Sequence, residues 1–227
     1  MIRRDYILRM IEECLQALMR IKSLKRAQRW PEVEDSLDAE FQKLVGSGAT
    51  AVAGLSETEL LGRLMQGDST PLVREKTFIL TALLKEAGDA AAAQGRTNDA
   101  RACHLKALHL LLNILAQGEA TDFPEFVPKV ELLQEALQGA PLPSRSQALL
   151  MQHFELTGQF AKAEDALYEL LDNEPGEPNV VEFGVAFYQR LLGLSDTTLA
   201  GGNLPRAEVE DGLKELRNRA LANSEGN

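Results

Sequence analysis

The chain reads as an all-α protein. Apolar residues recur at helical spacing from end to end, no stretch shows a sustained period of two enriched in β-branched residues, and one 34-residue pattern occurs twice. With 227 residues, 44% hydrophobic and 26% charged, the chain can bury a core as one domain or as an elongated array. We expect about nine or ten helices, arranged as hairpins.

Ile7, Ile11, Cys14, Leu18 and Ile21 alternate at intervals of four and three, which places them on one face of a long first helix. Trp30-Pro31 breaks it, because proline suits the first turn of a second helix, whose stripe Val33, Leu37, Phe41 and Leu44 stops at Gly46. GSGATAVAG, 46–54, is expected as a small-residue connector. Ser56 and Glu59 make a capping-box pattern that opens a short helix to about Met65, and GDSTP at 67–71 caps the next. Periodicity then predicts helices near 70–94, 97–117, 125–138, 144–157, 160–173, 177–194 and 206–222.

The repeated pattern explains the hairpins. Residues 81–114 and 144–177 align without a gap, so that Gly95 falls on Gly158 and Ala100 on Ala163. A glycine in the turn takes the positive φ of a helix C-terminus and lets the chain reverse within a few residues. Small residues such as Gly88, Ala100, Ala107 and Ala163 let two helices approach to about 8–10 Å. Pro175 ends the second helix because it cannot donate to the helical ladder.

This pattern resembles the tetratricopeptide repeat (TPR). The second unit carries Phe154, Gly158, Phe160, Ala163 and Pro175 where that repeat places aromatic, turn, small and terminating residues, with Leu167 and Leu170 replacing an aromatic and a small residue. The first carries Gly88, Gly95, Ala100 and Ala107, but Ala91, Thr97 and His104 where aromatics are usual. Residues 1–46 read as a divergent helix pair with Trp30 in the turn, and 177–222 as capping helices with a charged outer face. The layout, from MIRRDYILRMIEE to GGNLPRAEVEDGL, is similar to an uncharacterised bacterial family of TPR-like proteins. The expectation is a single TPR-like helical-hairpin array, an α-solenoid, over 1–227.

Charge and cysteine content narrow the setting. The net charge is −10, yet residues 1–30 carry eight basic and three acidic side chains, a balance of +5, against −15 for the remainder. An acidic body disfavours nucleic acid, whose phosphates need a basic surface. Asp5, Arg9, Glu12 and Glu13 interrupt the N-terminal apolar run before it could serve as a signal peptide, and no later run approaches the roughly 18 apolar residues of a membrane span. Cys14 and Cys103 form no CxxC pattern, so a reducing, cytoplasmic compartment is expected.

No residue set reads as catalytic. His104 and His109 are five apart, about 140° around a helix, and do not make an i, i+4 metal pair. GSGATAVAG lacks the lysine and Ser/Thr of a phosphate loop, and Glu208, Glu210 and Asp211 read as a solvated helix face. No enzyme activity, cofactor or metal is therefore expected.

The resemblance implies a peptide-binding groove lined by the first helix of each pair. Carried onto this chain, the groove residues are Ala82, Lys85, Asp89, Ala92 and Ala93, then Arg145, Ala148, Gln152, Glu155 and Leu156. The chaperone-tail clamp is not implied, because Lys85 is followed by Asp89 and not by asparagine. Residues 115–143 could fill that groove from within. The expected function is a non-catalytic protein-protein interaction or scaffold module, binding a separate protein or peptide or a second copy of itself. The alternative is a sensor that holds a small molecule or peptide inside the array.

Overall fold

The computed structural model describes the backbone of residues 2–65, 70–117, 123–139 and 141–225, with side chains in those stretches except at 2–7, 70–71 and 222–225. Among the described residues there are twelve α-helices and no strand. They form two compact units, 1–140 and 141–227.

The first unit holds α1 (Ile2–Arg26), α2 (Trp30–Val45), α3 (Ala49–Gly54), α4 (Glu57–Met65), α5 (Thr70–Ala93), α6 (Thr97–Ala116) and α7 (Val130–Ala136). Its centre is α5, which packs against α6, α1, α2 and α4. Every residue from Thr77 to Leu84 is buried, as a helix surrounded on all sides requires. The polar members of that run are satisfied locally: the Thr77 hydroxyl donates to the Val73 carbonyl and the Thr81 hydroxyl to the Thr77 carbonyl, both at 2.8 Å. Around α5 the core is closed by Leu18, Ile21, Val33, Phe41, Leu60 and Leu108. Cys14 is buried with this set, and Leu44 is only half-buried because its neighbour Val45 takes the inward position.

The second unit holds α8 (Ser144–Leu156), α9 (Phe160–Asn173), α10 (Pro178–Leu192), α11 (Asp196–Gly201) and α12 (Arg206–Glu225). The pairs α8/α9 and α10/α12 each pack closely, and α9 touches α10. Three glycines set these approaches. A methyl at Gly184 would meet Leu216 and Leu167, one at Gly212 would strike the Tyr188 ring, and one at Gly202 the Phe160 ring. Beside that last contact the Ala161 amide donates to the Gly202 carbonyl at 3.0 Å, fastening α11 to the start of α9.

Four helix ends share one closure. After α5 the Arg96 amide donates to the Ala91 carbonyl at 2.9 Å around Gly95, φ 74°. After α8 the Gln159 amide reaches Phe154 O at 2.8 Å around Gly158, φ 72°. The same six-residue bond runs from Arg29 to Leu24 around Gln28, φ 54°, and from Leu204 to Leu199 around Asn203, φ 59°. Each is a Schellman cap, whose positive-φ residue turns the chain while its amides satisfy the last carbonyls of the helix. Because α5 and α6, like α8 and α9, are joined by three residues and packed along one another, each pair runs antiparallel.

The all-α expectation holds, with corrections to individual elements. Residues 49–54 are a helix and not a connector: the Asp38 carboxylate accepts from the Ala49 amide at 2.9 Å and caps α3 from eleven residues upstream. A further helix, α11, stands where none was expected, capped by Ser195, whose hydroxyl accepts from the Thr198 amide. The helix expected over 125–138 is shorter, Val130–Ala136, because Pro128 disfavours helical geometry at the residue before it. The Ser56/Glu59 capping box forms in full, with Glu59 N to Ser56 Oγ at 3.2 Å and Ser56 N to Glu59 Oε2 at 2.8 Å. Most of GDSTP, and the side chain of Ile7, lie outside the described residues.

Candidate functional site

The residues expected to line the first half of a groove lie on the last three turns of α5, and α1 meets them there. Lys25 of α1 donates to Glu86 Oε2 at 2.6 Å and to Asp89 Oδ2 at 2.8 Å, and Lys85 donates to Asp89 Oδ2 at 2.7 Å. Lys22 adds a longer pair to Glu86 at 3.9 Å. From α6, His104 Nε2 lies 3.1 Å from Asp89 Oδ1; a carboxylate can only accept, so Nε2 carries the proton. Nδ1 of that ring is buried without a hydrogen-bond partner.

Glu86 and His104 are each only 4% exposed at the side chain and Lys25 17%, whereas Lys85 and Asp89 keep 28% and 29%, so the cluster is shielded on its inner side and open to water on its outer side. Burial by itself would raise the Asp89 carboxyl, but hydrogen bonds from His104, Lys25 and Lys85 outweigh it and hold it well below the usual carboxylate range. For Lys85 burial works against the charge, and the bond to Asp89 with the field of Glu86 wins, raising the ammonium above its ordinary value. Asp89, with Glu86, therefore fastens α1 to α5 through Lys25, Lys85 braces Asp89 along α5, Ala82 is buried, and Ala92 and Ala93 alone of this set are exposed. Of the 115–143 segment, residues 118–122 and 140 lie outside the described residues; α7 packs on α6 with Val130 and Leu133 buried, and Phe123 meets Phe78 of α5 edge to face at 5.4 Å.

On α8 the placement differs. Glu155 accepts from Arg190 Nε and Nη2, both at 2.7 Å, a bidentate pair that ties α8 to α10. Arg145 is exposed, Ala148 and Gln152 are half-buried, and Leu156 is 64% exposed. Of the five principal groove residues, Arg145 and Gln152 remain presented at a surface, while Lys85, Asp89 and Glu155 have partners inside the chain.

Sequence reasoning missed three polar contacts. Buried Gln147 donates to Glu169 Oε2 at 2.7 Å, across α8 and α9. The Tyr188 hydroxyl donates to Glu164 at 2.6 Å and Tyr168 to Glu215 at 3.1 Å. Burial raises the Glu164 carboxyl against the opposing Tyr188 bond, and burial with the Glu164 charge pushes the Tyr188 phenol far up. Gln147 and Tyr188 stand 22 and 24 residues from their acceptors, beyond any local signal.

Burial, with a smaller contribution from Glu40, pushes the Cys14 thiol up to about 12, and burial also raises Cys103, so both are protonated and weakly nucleophilic at neutral pH. Among the described residues, no group of three or more His, Cys, Asp or Glu could hold a metal ion, and no helix is long and apolar enough to cross a membrane. The first unit has a cavity of about 370 Å³ floored by Met10, Cys14, Leu44, Ile79 and Leu83, with the pairs Arg9–Glu13 and Glu40–Lys43 at its mouth. A second of about 370 Å³ lies among α2, α3, α5 and α6, above Phe41, Leu84 and Ala87. In the second unit a trough of about 450 Å³ runs between α10 and α12.

Residues 1–220 match DUF6483, a family of unknown function. The chain belongs to that family. No curated protein matches it, and no solved structure does.

Proposed function

We propose that this DUF6483 chain is a non-catalytic, TPR-like scaffold of helical hairpins that works by docking another protein. The observation that carries this reading is the recurrence of one Schellman closure around residues 28, 95, 158 and 203. A repeated turn that closes one helix and leads into the next is the building unit of hairpin arrays, whose exposed helices serve as extended docking surfaces. The high thiol values at Cys14 and Cys103 support a role without cysteine chemistry, and two unpaired cysteines suit a bacterial cytoplasm.

The docking surface is the outward face of α8, where Arg145 and Leu156 are exposed and Gln152 is half-buried in the second unit. Lys85 is a poor probe of it, since reversing its charge would break the cluster that holds α1. The test is affinity capture from the native host with wild-type bait against Arg145→Glu/Gln152→Glu bait. A partner recovered by the first and lost from the second supports the reading; identical recovery would remove α8 as the surface.

A second reading, a ligand sensor, is favoured by the cavity floored by Met10, Cys14, Leu44, Ile79 and Leu83, whose about 370 Å³ suits a small apolar molecule. Native mass spectrometry of protein purified from its host distinguishes the two. A stoichiometric adduct lost in a Leu83→Trp variant would favour the sensor.

A further inference from the structure

We propose that the trough between α10 and α12 receives α1 of a second copy of this chain. This rests on the docking reading above and names the partner for a different surface. The trough is floored by apolar side chains, Val185 and Ala186 on α10 with Ala220 and Leu221 on α12, and edged by Glu182, Gln189 and Arg217. Small residues at 186 and 220 allow a third helix to come close, as at any helix-helix contact. The chain itself supplies a fitting helix. α1 keeps Leu8, Leu15 and Met19 exposed, at 52%, 37% and 63%, with Ile11 half-buried beside them. Spaced at i, i+3, i+7 and i+11, these four form the apolar edge with which a helix enters a groove.

Charge selects this pairing over α1 against α1. Residues 2–26 hold seven basic and three acidic side chains; with Lys22 and Lys25 paired to Glu86 and Asp89, five basic against three acidic remain, so two such helices repel. Residues 141–227 hold seven basic and fourteen acidic, a balance of −7, so a basic helix is drawn to that unit. The contact is heterologous, α1 of one copy on the second unit of the next, and closes as a reciprocal dimer or extends as a chain.

The experiment is sedimentation velocity over a concentration series, with Met19→Glu disabling α1 and Ala220→Glu disabling the trough. Both sites are exposed, and circular dichroism verifies that each variant folds; Leu8→Glu replaces Met19→Glu if needed. The expected result is wild-type species of at least twice 24.9 kDa, each variant monomeric alone, and an equimolar mixture of the two variants associating one to one, because each keeps the half the other lacks. A wild-type chain that stays monomeric overturns the proposal. So does an Ala220→Glu chain that still self-associates while Met19→Glu does not, which assigns the contact to α1 alone. Neither failure touches the α8 reading, which rests on the Arg145→Glu/Gln152→Glu capture.

Discussion

A methyl group at Gly88 would overlap the His104 ring, which is buried and held by Asp89. Replacing a mid-helix glycine by alanine gains about 0.5–1 kcal/mol of helix propensity, whereas overpacking a filled core costs about 1–3 kcal/mol. Gly88→Ala is therefore expected to lower stability by about 1–2 kcal/mol in urea denaturation. Gly62, within α4 and with open space where its Cβ would be, supplies the contrast: Gly62→Ala should raise stability by about 0.5–1 kcal/mol. Asp89 carries a pH signature. Its folded-state carboxyl is depressed below the unfolded value of about 3.9, so its contribution is complete above that pH and is lost as pH falls through the folded value. Stability of the first unit should drop below about pH 4, and Asp89→Asn should flatten that part of the curve. Glu164 has the opposite sign, since its raised carboxyl contributes at low pH and loses that contribution as pH rises. At this level the sequence was partly informative: Gly88 stood out as a small residue at a helix crossing, but His104 appeared only as a departure from an aromatic pattern and as half of a rejected metal pair, not as its neighbour.

Among the helices, α1 is held to α5 by ions as well as by apolar contact. Removing one member of a buried pair costs about 3–5 kcal/mol because the other is left buried and uncompensated. Lys25→Ala should sit at the lower end, about 3 kcal/mol, because Lys85 and Lys22 remain within 3.5 and 3.9 Å of Glu86. Equilibrium denaturation of that variant checks it, and a change below about 0.5 kcal/mol, typical of surface pairs, would show the cluster to be solvated. The four helix closures give a second prediction of opposed sign. A side chain in the left-handed region costs about 1–2 kcal/mol, so Gly95→Ala and Gly158→Ala should each destabilise by about that much. Gln28→Gly should stabilise by a few tenths to 1 kcal/mol, because Gln28 already bears that strain. The two glycines were legible because their conformation is written in their identity. Gln28 and Asn203 were not, because nothing local marks a glutamine as left-handed.

For the whole chain, each compact unit has its own core. In 141–227 Leu150, Met151, Phe154, Phe160, Leu167, Phe187, Tyr188 and Leu216 are buried within helices that contact one another. A fragment 141–227 is therefore expected to fold alone, with helical circular dichroism and one cooperative urea transition. A non-cooperative fragment would show that its core needs the first unit.

Helix content, the hairpin turns at Gly95 and Gly158, the Ser56/Glu59 cap and the burial of Ala100, Ala107 and Ala163 follow from residue type and spacing alone. These features depend on atoms within about two turns of each other, so period, cap and turn chemistry suffice to read them. The destination of each polar side chain does not follow from spacing. Lys85 and Asp89 look like groove residues until Lys25, more than sixty positions upstream, donates to Asp89, which also accepts from Lys85. Asp38 and Glu155 likewise find partners on other helices, Ala49 and Arg190. A charge takes whichever opposite charge or open amide the packing delivers within about 3 Å, and that distance is set by how helices far apart in the chain come to rest against one another.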